Sequence, residues 1–548
     1  MRNRVKASRA IIYAILAAAI GLAIGILIAP TTHPLFSNYN SKHDFNTYKL
    51  NEVLNIIKAE YVEEINADSL LDDGIQALLE TLDPHSSYFN KTDMVGKSNE
   101  IQGNFEGIGS VLFSYNDTVC IRNVIPNSPS ETAGLHAGDK IIKVDNVNIA
   151  ADKTAIEDAI KLIRGRRHTT VTLSIKRHGE EGMRQVKVVR DVIMTPSIDY
   201  FDMLDTETGY IQLHSFTATS YKEFCNAVQS LRDKGLKKLI IDLRGNGGGL
   251  LDAACNIADE LLPGNELIVY TEGVHQKREE IRSHTGGLFP KGQLMILIDE
   301  NSASASEVLS GAIQDNDRGI IVGRRSFGKG LVQRQFLLSD GSAIWLTTAR
   351  YYTPSGRCIQ RPYDKGTAAY YAEYLDQMLG SSMNDTTNTT ITDSTKYYTQ
   401  QGRVVYGGGG IFPDKIINYK TDKLLVYYNQ LFQKDLLRKF AFKTVIEQGQ
   451  LIKKSYPTSK QFEERYSVSD KMFEQFVKYA EEQGIERDNA SLQAYGEEMK
   501  TLMKAYISES LYETSSFYRI YNRNDNDLQE AIQYFKQQSN RNTIQTHK

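Results

Sequence analysis

The chain has 548 residues, too many for one ordinary domain, and on size alone it divides into two to four folded units. Its 64 basic and 67 acidic residues leave a formal charge of -3 and are interspersed along the chain, which argues against a protein that holds nucleic acid through a basic footprint. The four cysteines, Cys120, Cys225, Cys255 and Cys358, lack C-x-x-C spacing, so neither a disulfide framework nor a zinc site is signalled.

At the start, Arg2, Arg4, Lys6 and Arg9 precede an apolar run from Ile11 to Pro30. A helix over 11–28 would be about 27 Å long at roughly 1.5 Å per residue, close to the thickness of a bilayer core. The basic flank predicts an uncleaved single-pass anchor with its N-terminus in the cytoplasm. In a Gram-negative cell this is the inner membrane, with the rest of the chain on the periplasmic side. Next, Leu50, Val53, Leu54 and Ile57, then Ile75, Leu78, Leu79 and Leu82, fall at helical spacings. Asp83-Pro84 stops that pattern, and Ser86-Ser87-Tyr88-Phe89 begins a connector.

From 100 to 192 the period changes. Strands are predicted over 119–124, 140–144, 171–177 and 186–192, and a short helix over 155–164 carries Ile156, Ile160 and Ile163 on one side. A Gly107-Ile108-Gly109 turn leads into an earlier strand, and Pro126-Asn127-Ser128-Pro129 is followed by Ala133-Gly134-Leu135-His136-Ala137-Gly138-Asp139. This order resembles a PDZ domain. The resemblance implies that amides at Gly107, Ile108 and Gly109 receive a peptide carboxylate while the peptide adds a strand beside an apolar groove.

Beyond this the texture is alternating α/β, with strands predicted over 209–213, 239–243, 294–298 and 319–322 and helices over 219–234 and 250–262. Function in such a unit is expected on connections beyond the strand ends. The strand over 294–298 runs into Ser302-Ala303-Ser304-Ala305-Ser306-Glu307 and then an apolar helix face. A serine at this junction can present its oxygen while helix-start amides face developing negative charge. Spacing alone does not choose among Ser302, Ser304 and Ser306, each of which can also cap the helix or bond back to the backbone. Lys329 lies between Gly328 and Gly330, with Phe327 and Val332 able to shield its amine. Burial disfavours the charged amine, so a dry Lys329 can accept a serine proton; a surface lysine in a glycine turn is the plainer reading. Asp242 and Arg244 read as a structural ion pair at a strand end, and Glu307 as a helix-start group. His214 and His284 are not excluded as partners by spacing. The segment 381–396 reads as an exposed insertion, and 423–514 is mostly helical, with one more helix over 519–537.

Asp242–Gly249 (DLRGNGGG), Ser302–Glu307 (SASASE), Gln314-Asp315, Phe327–Gly330 (FGKG) and Tyr351–Arg357 (YYTPSGR), in this order and behind a PDZ-like segment, look like the carboxyl-terminal processing peptidases, or tail-specific proteases. The match covers about 43–414. It implies a multidomain fold, α/β and β-rich: a membrane anchor over 1–30, a helical segment over 43–99 and a PDZ-like domain over 100–192. An α/β, ClpP/crotonase-like peptidase core over 193–422 and a helical extension over 423–548 follow. The implied activity is that of a serine endopeptidase acting near the C-termini of proteins with accessible, apolar tails, without cofactor or metal. Residue by residue, the resemblance makes Ser304 the nucleophile, Lys329 the general base and Gln333 the residue positioning it. The N–H groups of Ala305 and Gly248 would form the oxyanion hole. Gly247 stands where the family often has proline, which leaves the second donor open. Expected partners are substrate tails and, through 11–28, the membrane; a homo-oligomer or an adaptor protein is left open. A noncatalytic PDZ scaffold is the alternative, against which Ser304, Lys329 and Gln333 stand together.

Overall fold

The computed structural model describes residues 45–150, 155–380, 395–418 and 424–545. The chain separates into two compact units, 1–73 and 74–548. The described part of the first holds the helix Phe45–Glu60 and the beginning of Ala67–Glu80. The second carries everything that follows.

The anchor expected over 11–28 lies outside the described residues, as does the insertion over 381–396 except for its last two residues. Among the described residues no helix is long and apolar enough to cross a membrane. Even the long helices Leu436–Ser455 and Asn489–Leu511 carry charges along their length, as in Arg438, Lys443, Glu447 and Lys453 of the first. The expected single-pass topology, membrane partner and inner-membrane localisation are corrected to this extent: no spanning element lies among the described residues.

The PDZ-like region is a sheet of Ser110–Tyr115, Thr118–Val124, Lys140–Val144, Thr170–Lys176 and Arg184–Val189, with the helix Ile156–Ile163 against it. One long strand was expected over 186–192, but the chain breaks at Arg190. There the guanidinium turns inward and donates to Ile163 O at 2.7 Å and Leu162 O at 3.1 Å, satisfying carbonyls at the helix end. Asp191–Met194 then leaves the sheet and pairs with Asn104–Gly107, a two-stranded ribbon where the chain enters and leaves this region.

The catalytic region is built on a six-stranded sheet in the order Ile198–Met203, Thr208–Leu213, Lys238–Asp242, Gln293–Ile298, Ile320–Gly323 and Lys415–Ile416. All neighbours are parallel except the first pair. Alternation along each strand decides the layers. Leu239 and Ile241 enter one core with the helices Ser220–Asp233, Leu251–Leu261 and Ala305–Asp315, whereas Ile240 and Met295 point the other way. That second face is covered by Leu528, Ala531 and Phe535 of the last helix, Asn526–Gln545. A second, wholly antiparallel sheet joins Ser87–Phe89, Ala343–Tyr352, Leu267–Gly273 and Gln276–Arg282, with Leu331–Leu337 also paired to Ala343–Tyr352. The ClpP/crotonase-like core expected from the resemblance is corrected to this pair of sheets. Their pairings span long sequence separations, which leave no periodic signal in the chain. The remaining C-terminal helices pack around a core of their own that includes Phe440, Phe462, Phe476 and Met499.

Candidate active site

At the carboxyl end of Gln293–Ile298 the chain turns through Asp299–Ser304 into the helix Ala305–Asp315. The three serines of this turn have different fates. Ser302 Oγ donates to Leu243 O at 2.8 Å and Ser306 Oγ to Asn246 O at 2.9 Å, and both side chains are buried. Ser304 instead lines a cavity of about 700 Å³, with φ +55° and ψ -113°, a backbone conformation that L-residues rarely hold. Such strain persists only where the surroundings over-determine it.

Glu307 is one of those surroundings. Fully buried, it accepts from Ser304 N–H at 2.8 Å, Ser326 Oγ at 2.6 Å, Gly328 N–H at 2.7 Å and Lys329 N–H at 2.9 Å. Burial raises its carboxyl to about 7, against the pull of those four donors. On the carbonyl side Tyr351, also buried, donates to Lys329 O at 2.6 Å and lies 3.2 Å from Ser304 O. One carboxylate and one phenol thus tie the serine turn to the lysine turn through main-chain atoms.

The lysine turn is packed closely enough to require its glycines. A Cβ on Gly330 would come within 2.9 Å of Gln360 N. One on Gly328, at φ +94°, would lie 3.0 Å from Gly409 C and Gly410 N. The Gly407–Gly410 run therefore backs this loop, and Ile411 N–H donates to Ser326 Oγ at 2.6 Å. Lys329 lines the same cavity as Ser304. Burial, with the nearby charge of Lys97, lowers its amine to about 8.

Gln333 lines the cavity as well, on a strand whose pairing slips between Val332 and Gln333; its amide donates to Thr347 Oγ1 at 3.4 Å. Ala305 is the first residue of its helix, so its N–H has no intrahelical acceptor, and the residue lines the cavity. Gly248 lies against the serine, for a Cβ there would meet Ser304 Cβ at 2.8 Å and Ala305 N at 3.0 Å. Its own N–H, however, donates to Asn246 Oδ1 at 2.9 Å. The PDZ-like turn sits elsewhere. Ile108 O accepts from Ser130 N–H at 2.8 Å, and Gly109 O from Ile125 N–H at 3.0 Å and Ser128 Oγ at 3.2 Å; beyond Gly107, Arg164 stacks over the Phe105 ring.

Of the two histidines left open, His214 lines the cavity and pairs with Asp199 at 3.0 Å, a contact that raises its pKa. His284 is exposed beside Asp259. Asp242 and Arg244 do form an ion pair, at 2.6 Å. Gln314 and Asp315 bind the fully buried Arg357 of the YYTPSGR segment at 2.7 Å each, fixing the far end of the serine helix.

Sequence reasoning placed a break at Asp83-Pro84 and a connector after it, but missed that this segment reaches the site. Asp83 accepts from the N–H groups of His85 and Ser86, Ser86 Oγ accepts from Thr347 N–H at 3.1 Å, and His85 Nε2 lies 2.9 Å from Tyr370 Oη. Burial and the Lys329 charge lower His85 to about 4, so the ring is neutral near the lysine. The density of turn formers at Asp83-Pro84 was the one local signal, and it says nothing about what the turn touches.

The comparisons with known proteins follow the same division of the chain. Residues 207–367 match the model of peptidase family S41, 120–177 that of the PDZ domain, 32–93 that of the activating protease CtpB N-terminal domain, and 427–513 a family of unknown function. A carboxy-terminal-processing protease of Bartonella bacilliformis is 33% identical over 347 residues, covering 61% of this chain and 78% of the relative. The carboxy-terminal processing protease CtpA of Bacillus subtilis is 31% identical over 369 residues, covering 66% and 78%. Among solved structures, a photosystem II D1 C-terminal processing protease is 28% identical over 56% of this chain and 82% of its own, with a TM-score of 0.33. The S41 match names the core and replaces the ClpP/crotonase-like description. A strained serine and a dry lysine share one cavity, a PDZ domain precedes them, and relatives match across most of their own length. The chain accordingly belongs to the carboxy-terminal-processing proteases of family S41, serine-type endopeptidases with a PDZ substrate-binding domain.

Proposed function

We propose that Ser304 is the nucleophile of this peptidase and Lys329 its general base. The observation that carries the reading is the double tie of Glu307 and Tyr351 between the two turns, beside a cavity that both side chains line. Neutral Lys329 takes the Ser304 proton as the hydroxyl oxygen attacks the substrate carbonyl. The Ala305 N–H receives the developing oxyanion, with the helix start behind it. Lys329 then passes the proton to the departing amine, and water, activated by the same amine, releases the acyl group from Ser304. Gln333 borders the lysine's side of the cavity and restricts its amine. Gly248 contributes a second donor once its N–H turns from Asn246 Oδ1 toward the substrate, a small peptide reorientation that a glycine at φ +101° tolerates. The turn Gly107–Gly109 takes the carboxylate of an apolar tail, within a PDZ domain spanning 100–192; the catalytic core spans 193–422 and the helical extension 423–548.

Ser304→Ala and Lys329→Ala should each abolish cleavage of an unfolded protein with an apolar tail while leaving the melting temperature near that of the parent. Retained turnover in either variant, measured by release of the shortened product, would overturn the assignment.

A further inference from the structure

The C-terminal extension reaches the main chain that backs the nucleophile, and it does so through charge. Arg244 follows the strand Lys238–Asp242 and directly precedes the Gly245–Gly249 turn. Its guanidinium binds Asp242 through Nη2 at 2.6 Å and, on its other edge, Asp525 through Nη1 at 3.1 Å and Nη2 at 2.6 Å. Asp527 adds a contact to Arg244 at 3.7 Å and binds Arg324 at 2.7 Å, and Arg324 in turn meets Glu300 at 3.1 Å. Asp242 is fully buried and Asp525 only 7% exposed, so the pairing is sheltered from salt and solvent.

Asp525 is itself held from behind. Its Oδ1 accepts from Leu528 N–H at 3.0 Å at the start of the helix Asn526–Gln545, the helix that covers the second face of the catalytic sheet. Burial pushes its carboxyl up, yet Arg244 and the backbone donors bring it below its ordinary value, which favours the ionised form. From Arg244 the path to the reacting atoms is short. Gly245 N–H donates to Asp299 Oδ1 at 2.9 Å, Asn246 O receives Ala303 N–H at 3.0 Å, and Gly248 packs against Ser304 Cβ.

We infer that Asp525 is a positioning residue for the peptidase: through Arg244 the C-terminal extension fixes the Gly245–Gly249 turn against Ser304, making the extension part of the catalytic apparatus in this chain. The family match of the core ends at 367 and that of the extension at 513, so neither covers this contact. The inference rests on Ser304 being the nucleophile. Asp242 holds the Nε/Nη2 edge of Arg244, at 3.0 Å and 2.6 Å, and fixes its plane on the strand side, whereas Asp525 on the adjacent Nη1/Nη2 edge ties that plane to the extension. Displacement of a reacting group by about 1 Å costs on the order of a hundredfold in rate.

The test uses the full chain and one unfolded protein substrate. Asp525→Asn should lower kcat by about tenfold or more at nearly unchanged KM, since the altered contact lies behind the oxyanion turn and away from the PDZ groove. Asp525→Glu, which keeps the charge, should recover much of that loss. A matched lesion inside the extension, Glu463→Gln, removes the 2.6 Å pair with Arg519 without touching Arg244. It should lower the melting temperature while kcat of the folded enzyme stays within about twofold. Wild-type kcat in folded Asp525→Asn, or an equal loss of kcat in Glu463→Gln, would overturn the inference. If Asp525→Asn does not fold, the same split is read on Arg244→Lys, which keeps the charge but loses the forked contact with Asp525, and wild-type kcat there would overturn the inference. Ser304→Ala in parallel separates the two readings: activity surviving there removes the nucleophile assignment, whereas no activity there with wild-type kcat in folded Asp525→Asn removes this one alone.

Discussion

With Lys329 as the proposed base, its amine sets the expected pH dependence. Its amine is brought to about 8 by burial first and by Lys97 second. The neutral form is the one that accepts a proton, so kcat/KM should climb as pH rises through about 8 and level above it. A histidine base would place that limb near 6.5 instead. A pH-rate profile on a tailed peptide distinguishes them, and a profile flat from pH 6 to 10 would speak against both. Glu307 has a different role, since it touches main chain at both turns. Glu307→Gln turns an acceptor of four donors into an amide that can satisfy only some of them, and each buried N–H left unpaired costs about 1–3 kcal/mol. Turnover should fall by two orders of magnitude or so, with a lower melting temperature, read by kinetics and calorimetry on the same sample. His85 supplies the acid-side effect. Its folded value of about 4 lies below the unfolded 6.5, so the stability it contributes is present above pH 6.5 and is lost as pH falls toward 4. The difference amounts to roughly 3 kcal/mol. His85→Gln should therefore flatten the decline in denaturant midpoint between pH 7 and pH 4.5 relative to the parent.

At the scale of elements, the site is a meeting of three connections: a strand-to-helix turn with Ser304, a glycine turn after Lys238–Asp242, and the FGKG loop. Each was readable as a connection, but their contact distances leave no room for ordinary side chains. Gly248→Ala would drive a methyl within 2.7 Å of Ala303 O and 2.8 Å of Ser304 Cβ, at a φ of +101° that alanine resists. The expected result is loss of labelling by a serine-directed phosphonate probe, which phosphonylates the serine oxygen, while peptide binding by the PDZ region is unaffected. Unimpaired labelling would mean the turn relaxes without moving the serine. On the strand Leu331–Leu337, Leu331, Gln333 and Gln335 all line the cavity, as alternation predicts, although the pairing slips between Val332 and Gln333.

Across the molecule, the C-terminal helices hold two regions at once. Phe442, fully buried, packs edge-on against Phe113 and Tyr115 of the PDZ-like sheet, and Arg122 pairs with Glu509 at 3.4 Å. The ribbon Asn104–Gly107 with Asp191–Met194 is the covalent attachment of that sheet to the rest. Removing the aromatic wedge should therefore free the PDZ region about its ribbon. Phe442→Ala is expected to raise hydrogen exchange in the ribbon and in Ser110–Tyr115, while the catalytic sheet stays protected. Exchange unchanged in both would show that the ribbon alone sets the orientation.

The chain by itself determined much of this. Periodicity placed the central strands and helices to within a residue or so, because burial on a strand or helix face is written into local alternation, and the ordered motifs identified a serine peptidase with a PDZ domain. Spacing alone kept Ser302, Ser304 and Ser306 equivalent, since all three are small, polar and able to cap a helix, and within the sequence only the motif resemblance singled out Ser304. The tertiary structure supplied a physical difference, by giving two serines carbonyl partners from the 243–246 segment and leaving the third strained at the cavity. The bonds of Glu307, the approach of Asp83–Ser86 and the reach of Asp525 to Arg244 were likewise illegible. They join residues up to hundreds of positions apart, and a contact made by chain folding has no period for a sequence to display.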